Sequence, residues 1–121
     1  HMSYTFDNNI PIYIQLVDIV RVDIVSGKLS VGSRLPSVRE LAFYYKVNPN
    51  TMQKALVELE NEKLIYTERT NGKYVTSDSK VINKAKEKLA KEKVREYLSS
   101  MNSIGITYEE SIKYLQELGG K

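Results

Sequence analysis

Apolar residues recur along the first half of the chain at helical spacing, in short runs. Tyr13, Leu16, Val17, Val20 and Ile24 fall on one face of a 3.6-residue period behind Pro11, which suits a first helical turn. Gly27 stops that helix, where a left-handed residue is useful. Residues 28–36 form a connector with room for a very short strand. Ser37-Val38-Arg39-Glu40 is a capping box, in which serine and glutamate side chains satisfy each other's backbone N–H groups. Val38, Leu41, Ala42 and Tyr45 give the next helix its apolar face. Val47-Asn48-Pro49 ends it, because the residue before a proline is pushed out of the α region. Asn48 then caps a third helix, with Pro49 in its first turn and Met52, Ala55, Leu56 and Leu59 facing inward. Two helices meeting across the turn from Lys46 to Pro49 are a helix-turn-helix pattern.

The period then changes. Leu64–Arg69 and Lys73–Thr76 are β-prone runs around Thr70-Asn71-Gly72, and Asn-Gly between such runs is a strong hairpin signal. The spacing therefore predicts a winged helix-turn-helix domain over residues 3–77. From Ser79 to about Met101 a helical pattern resumes as a narrow stripe, Ile82, Ala85, Leu89, Val94, Leu98 and Met101, with a stagger near Ala90. Gly105 breaks it, Thr107–Glu110 is a second capping box, and Ile112, Leu115 and Leu118 line a last helix. The fold class expected is mainly α with a small β-hairpin, the winged domain being followed by a helical tail over residues 78–121.

Composition narrows the chemistry. With 121 residues the core is limited, and self-association is a common remedy. There is no cysteine, which excludes disulfides, cysteine-zinc sites and thiol catalysis. The single histidine, His1, stands before Met2 in what reads as a remnant of expression. With it set aside, neither a Ser-His-Asp triad nor a histidine-ligated metal can be built. Glu58, Glu60 and Glu62 do not share a helical face, and Glu109-Glu110 is a helix start. No enzyme, cofactor or metal is expected. No run approaches the roughly 18 apolar residues of a membrane span, so a soluble, cytoplasmic protein with no membrane partner is expected.

Charge alters the picture only when it is located. The net charge is +3 and the pI is near 9.0. Residues 1–78 are neutral overall, whereas Lys80, Lys84, Lys86, Lys88, Lys91, Lys93 and Arg95 outnumber Glu87, Glu92 and Glu96 in the segment that follows. That run reads as the solvated face of a long helix. Within the neutral domain, Arg34, Arg39, Lys46 and Lys54 cluster with one acid, Glu40, so one end is positive.

Pro11–Gln15, Gly27-Lys28-Leu29, Gly32–Ala42, Val47–Thr51, Ala55, Leu59-Glu60 and Leu64-Ile65 together resemble the DNA-binding domain of GntR-type transcription regulators. The resemblance covers about residues 10–76. The remainder is too short for the effector domains of most subfamilies and is similar to the two-helix tail of the YtrA-like subfamily. That likeness implies a homodimeric repressor on a palindromic operator, often beside transporter genes. It implies dimerisation through Ile82, Ala85, Leu89, Val94, Leu98, Met101, Ile112 and Leu115. Three departures stand out: Val31 where many relatives have proline, Arg69–Lys73 where many have a Gly-Lys-Gly-like wing, and Gln53-Lys54 where many have arginine.

The expected DNA-binding residues follow from both readings. The resemblance places Arg39 at the DNA; the plainer reading pairs it with Glu40 or Asp18. Ser37 serves as a cap and a candidate phosphate donor. Asn48, Asn50, Thr51, Gln53 and Lys54 occupy or flank the first turn of the third helix, and recognition helices touch base edges with their N-terminal residues; Asn48 alternatively serves only as a cap. Asn and Gln suit adenine, and Lys suits guanine or phosphate. Arg69, Thr70, Gly72 and Lys73 make a basic wing tip suited to a minor groove. The partners expected are duplex DNA and a second copy of the chain. No residue set demands a small-molecule effector. The competing reading is a winged-helix module that docks protein instead of specific DNA.

Overall fold

In the computed structural model, residues 5–120 are described; His1 and Met2 lie outside the described residues. The element order is α1 (Ile12–Val25), α2 (Val38–Tyr45), α3 (Pro49–Asn61), β1 (Ile65–Glu68), β2 (Gly72–Val75), α4 (Ser79–Ser103) and α5 (Tyr108–Gly119). The chain is mainly helical with one two-stranded antiparallel hairpin, a winged helix-turn-helix followed by C-terminal helices.

Local chemistry sets the ends of these helices. The Gln15 amide holds the entry to α1 by donating to the Asp7 and Ile10 carbonyls at 2.7 and 2.8 Å. Gly27, at φ +87°, ends α1 as expected. At α2 the Glu40 N–H donates to Ser37 Oγ at 3.1 Å, and the Ser37 N–H donates to Glu40 Oε1 at 2.9 Å. Lys46 closes α2 in the left-handed region at φ 60°, and the Val47 N–H reaches back to the Ala42 carbonyl at 2.9 Å. Asn48 Oδ1 accepts the Asn50 N–H at 2.7 Å, and Pro49 opens α3.

The core lies where three helices and the hairpin meet. Leu16, Val20 and Ile24 of α1, Leu41, Ala42 and Tyr45 of α2, and Met52, Ala55, Leu56 and Leu59 of α3 are buried with Leu35, Leu64, Ile65 and Val75. α3 is the hub, packing on α1, α2 and β1. Full burial of each large apolar side chain contributes about 1.5–3 kcal/mol. One buried polar pair joins this core: the Tyr45 hydroxyl donates to Asp23 Oδ2 at 2.7 Å. At the surface, Arg21 Nε donates to Glu62 Oε1 at 2.8 Å and ties α1 to the end of α3. That hydrogen bond, before other causes, raises the Arg21 guanidinium above its ordinary pKa.

The wing is a sheet with a third, minimal strand. Ile65 pairs with Val75, Tyr66 with Tyr74, Thr67 with Lys73 and Glu68 with Gly72. Arg34 bridges to Tyr74, and the Leu35 N–H donates to the Lys73 carbonyl at 2.8 Å. Because side chains alternate across a strand, Leu35, Ile65, Thr67, Lys73 and Val75 share one face, and Arg34, Tyr66, Gly72 and Tyr74 share the other. The loop is Arg69–Asn71, one residue earlier than the expected Thr70–Gly72: Gly72 is already paired, at φ +94°, whereas Asn71 is not left-handed.

The described residues form two compact units, one running to Ala85 and the other beginning at Lys86. α4 therefore starts inside the first unit, where Ile82 is buried at 5 % exposure. This corrects the expectation for Ile82, whose apolar surface is consumed within a single chain. In the second unit the Tyr97 hydroxyl donates to the Ser111 carbonyl at 2.7 Å, joining α4 to α5, and Ser111 is buried. Thr107 and Glu110 cap α5 reciprocally at 3.1 and 2.9 Å. Among the described residues no helix is long and apolar enough to cross a membrane.

Candidate nucleic-acid interface

The buried stripe of α3 decides what its other face presents. With Met52, Ala55 and Leu56 in the core, Asn50, Gln53 and Lys54 are exposed, and Thr51 is half-buried beside them. Asn48 spends its side-chain oxygen on the cap, which leaves its amide N–H groups for a ligand. Lys54 is placed by an aromatic support missed in the sequence reading: its Nζ lies 4.1 Å from the ring centroid of Tyr13.

Arg39 projects from the first turn of α2 and is exposed. Both of its alternative partners are engaged elsewhere. Glu40 is in the capping box, where the Ser37 backbone and side chain hold its carboxyl below the ordinary glutamate range. Asp18 accepts from Arg21 at 2.6 Å. Ser37 Oγ accepts the cap bond and keeps its own proton available to an acceptor.

The wing divides into groups that point outward and one that does not. Arg69 and Thr70 are exposed in the loop, and Gly72 follows it. Lys73, expected at the tip, instead faces α3: its Nζ lies 3.0 Å from Glu60 Oε1 and 2.9 Å from Thr67 Oγ1. The cause is strand parity, since Lys73 shares the inward face with Val75. The alternation of 73 and 75 in the sequence carried this signal. Glu60, which has no catalytic partner by spacing, here holds Lys73 and Thr67. Arg34, noted in the basic cluster but left out of the expected contacts, sits on the outward face of the wing. Among the described residues no group of acids and histidines could hold a metal ion.

A helix-turn-helix with an outward polar first turn, flanked by an exposed arginine and a basic hairpin, defines a winged-helix DNA-binding protein. The chain belongs to the GntR family: residues 12–75 match the bacterial regulatory proteins of the gntR family. It is 34% identical over 112 residues to the HTH-type transcriptional regulator YhcF of Bacillus subtilis, covering 93% of each chain. It is 33% identical over 117 residues to the HTH-type transcriptional repressor YtrA of the same organism, covering 92% of this chain and 90% of that one. A solved GntR family transcriptional regulator from Listeria monocytogenes superposes with a TM-score of 0.83 at 40% identity, over 93% of this chain and 99% of the other. The chain is a DNA-binding transcriptional regulator and not an enzyme.

Proposed function

We propose that this regulator is a homodimeric repressor that occupies a near-palindromic operator and blocks transcription sterically. Two α3 helices, one from each copy, enter successive major grooves about 34 Å apart. Ser37, Arg39, Asn48, Asn50, Thr51, Gln53 and Lys54 meet the major groove and its phosphates, and Arg69, Thr70 and Gly72 meet the minor groove. The observation that carries the dimer is the apolar surface of the second unit. Val94, Ile104, Ile112, Leu115 and Leu118 are all exposed in a single chain, Leu118 at 81 %. Surface of this kind marks an interaction site, and the partner that fits is a second copy through Ala85, Leu89, Val94, Leu98, Met101, Ile112 and Leu115. The repressor reading rests on the near-full-length likeness to YtrA. The proposal takes the protein to be cytoplasmic and its target to be a transporter operon.

Titration of the protein against labelled duplex from its own upstream region, at low and at physiological salt, tests the reading. Saturable, two-fold symmetric protection is expected. Absence of saturable binding at low salt, or sedimentation as a monomer at micromolar concentration, would sink it. Arg39→Ala abolishes binding if the surface reads DNA and is nearly silent if the domain docks protein.

A further inference from the structure

The outward face of the wing carries a cation that belongs to a different segment of the chain. Arg34 bridges to Tyr74, which pairs with Tyr66, so these three side chains form one row across the small sheet. The two tyrosine rings stack at 5.5 Å between centroids and give that row a firm floor. Gly72 lies on the same face at the root of the loop. A Cβ built there would sit 3.5 Å from both Nε and Nη2 of Arg34. The guanidinium therefore lies beside Gly72, within ordinary contact distance of the position a Cβ would take. Leu35, the next residue, is buried, which fixes the strand and directs Arg34 outward. Arg34 is exposed, and neither Glu68 on the same face nor any other described acid forms an ion pair with it.

Lys73, the cation expected at this place, is neutralised by Glu60 on the opposite face. We propose that Arg34 contacts the DNA backbone alongside the wing, supplying with Arg69 the positive charge that Lys73 does not. A guanidinium presents a fork of donors that engages a phosphate through two bonds. The proposal rests on DNA binding through the helix-turn-helix and adds a residue from the segment leading into α2.

The test uses the full chain and a labelled duplex from its upstream region, titrated across a salt series. Each phosphate contact adds about 0.9 to the slope of log affinity against log salt. Arg34→Ala is expected to weaken binding about tenfold and to reduce that slope by about 1 for each protomer bound. Arg34→Lys is expected to restore the slope, and Lys73→Gln to lower it less than Arg34→Ala does. Thermal melting of each variant reports folding. If Arg34→Ala leaves affinity and slope unchanged, or weakens binding without changing the slope, the proposal is overturned, the second result marking Arg34 as a support for the wing. If Lys73→Gln lowers the slope where Arg34→Ala does not, the assignment reverses. If the unsubstituted protein fails to bind at low salt, the DNA reading falls and this proposal falls with it.

Discussion

Lys73 Nζ lies 3.0 Å from Glu60 Oε1, so the second strand of the wing is fastened to the recognition helix itself. Thr67 donates to the other Glu60 oxygen, and the three side chains close a small network. The angle at which the wing meets a groove is thereby linked to the angle at which α3 does.

That network predicts an acid-sensitive latch. Burial alone would raise the Glu60 carboxyl, but hydrogen bonds from Thr67 and Lys73 and the Lys73 charge outweigh it and hold Glu60 below the ordinary glutamate value. A carboxyl whose pKa is lowered by folding stabilises the fold above its unfolded value, near 4.3, and that contribution is lost as pH falls through the folded value. Urea denaturation at a series of pH values should therefore show Glu60→Gln less stable than the parent near neutrality, with the difference closing as pH falls below the ordinary glutamate value. A difference that stays constant on acidification would refute the latch.

A second prediction concerns the buried pair of Asp23 and Tyr45. Tyr45→Phe removes the hydroxyl that donates to Asp23 Oδ2 and keeps the packing of the ring. The carboxylate is then left buried without that donor, which costs about 1–3 kcal/mol. The melting temperature should fall accordingly, while Asp23→Asn, which retains an acceptor for the Tyr45 hydroxyl, should fall less. A loss in Asp23→Asn as large as that in Tyr45→Phe would show that the charge of Asp23 contributes as much as the hydrogen bond and would overturn this ranking.

The parts of this molecule that sequence makes legible are those decided within a few residues. Ser37 and Glu40 are three positions apart, as are Thr107 and Glu110, and both boxes form as their spacing dictates. The inward faces of α2 and α3 follow from period, and the outward positions of Asn50, Gln53 and Lys54 follow by exclusion. What period cannot supply is which partner covers a stripe. Ile82 and Leu89 belong to one helical stripe, yet Ile82 is buried in the first unit and Leu89 lies in the second. Nor does it supply contacts between distant segments. Arg34 meets Tyr74, and Arg21 meets Glu62, across some forty residues. Lys73 is a case between these two: alternation with Val75 contained the answer, but basic composition at a hairpin tip outweighed it.

Lys63 offers a stabilising substitution. It adopts φ 69° after the end of α3, a left-handed conformation that disfavours residues with a Cβ. The Lys63 N–H donates to the Glu60 carbonyl at 3.0 Å and the Leu64 N–H to the Leu59 carbonyl at 3.1 Å, so the conformation is required by the turn into β1. Lys63→Gly should relieve the strain and raise stability by about 0.5–1 kcal/mol, net of the entropy glycine adds to the unfolded chain. The denaturation midpoint should rise without any change in DNA affinity. A fall would show that the Lys63 side chain packs favourably enough to offset its backbone.

The last prediction separates folding from dimerisation in the tail. A chain ending after Thr76 lacks Ile82, which is buried in the first unit, and should lose about 1.5–3 kcal/mol for that side chain alone. A chain ending after Ala85 keeps Ile82 and removes the second unit with its exposed Leu115 and Leu118. The shorter chain should therefore melt at a lower temperature than the longer one. Both should sediment as monomers and bind a two-site duplex more weakly than the full chain, because the second half-site is no longer engaged at high effective concentration. On a duplex carrying one half-site, the chain ending at Ala85 should match the full protein. If that chain still sediments as a dimer, the interface lies in the winged unit and the apolar face of α5 must serve another partner.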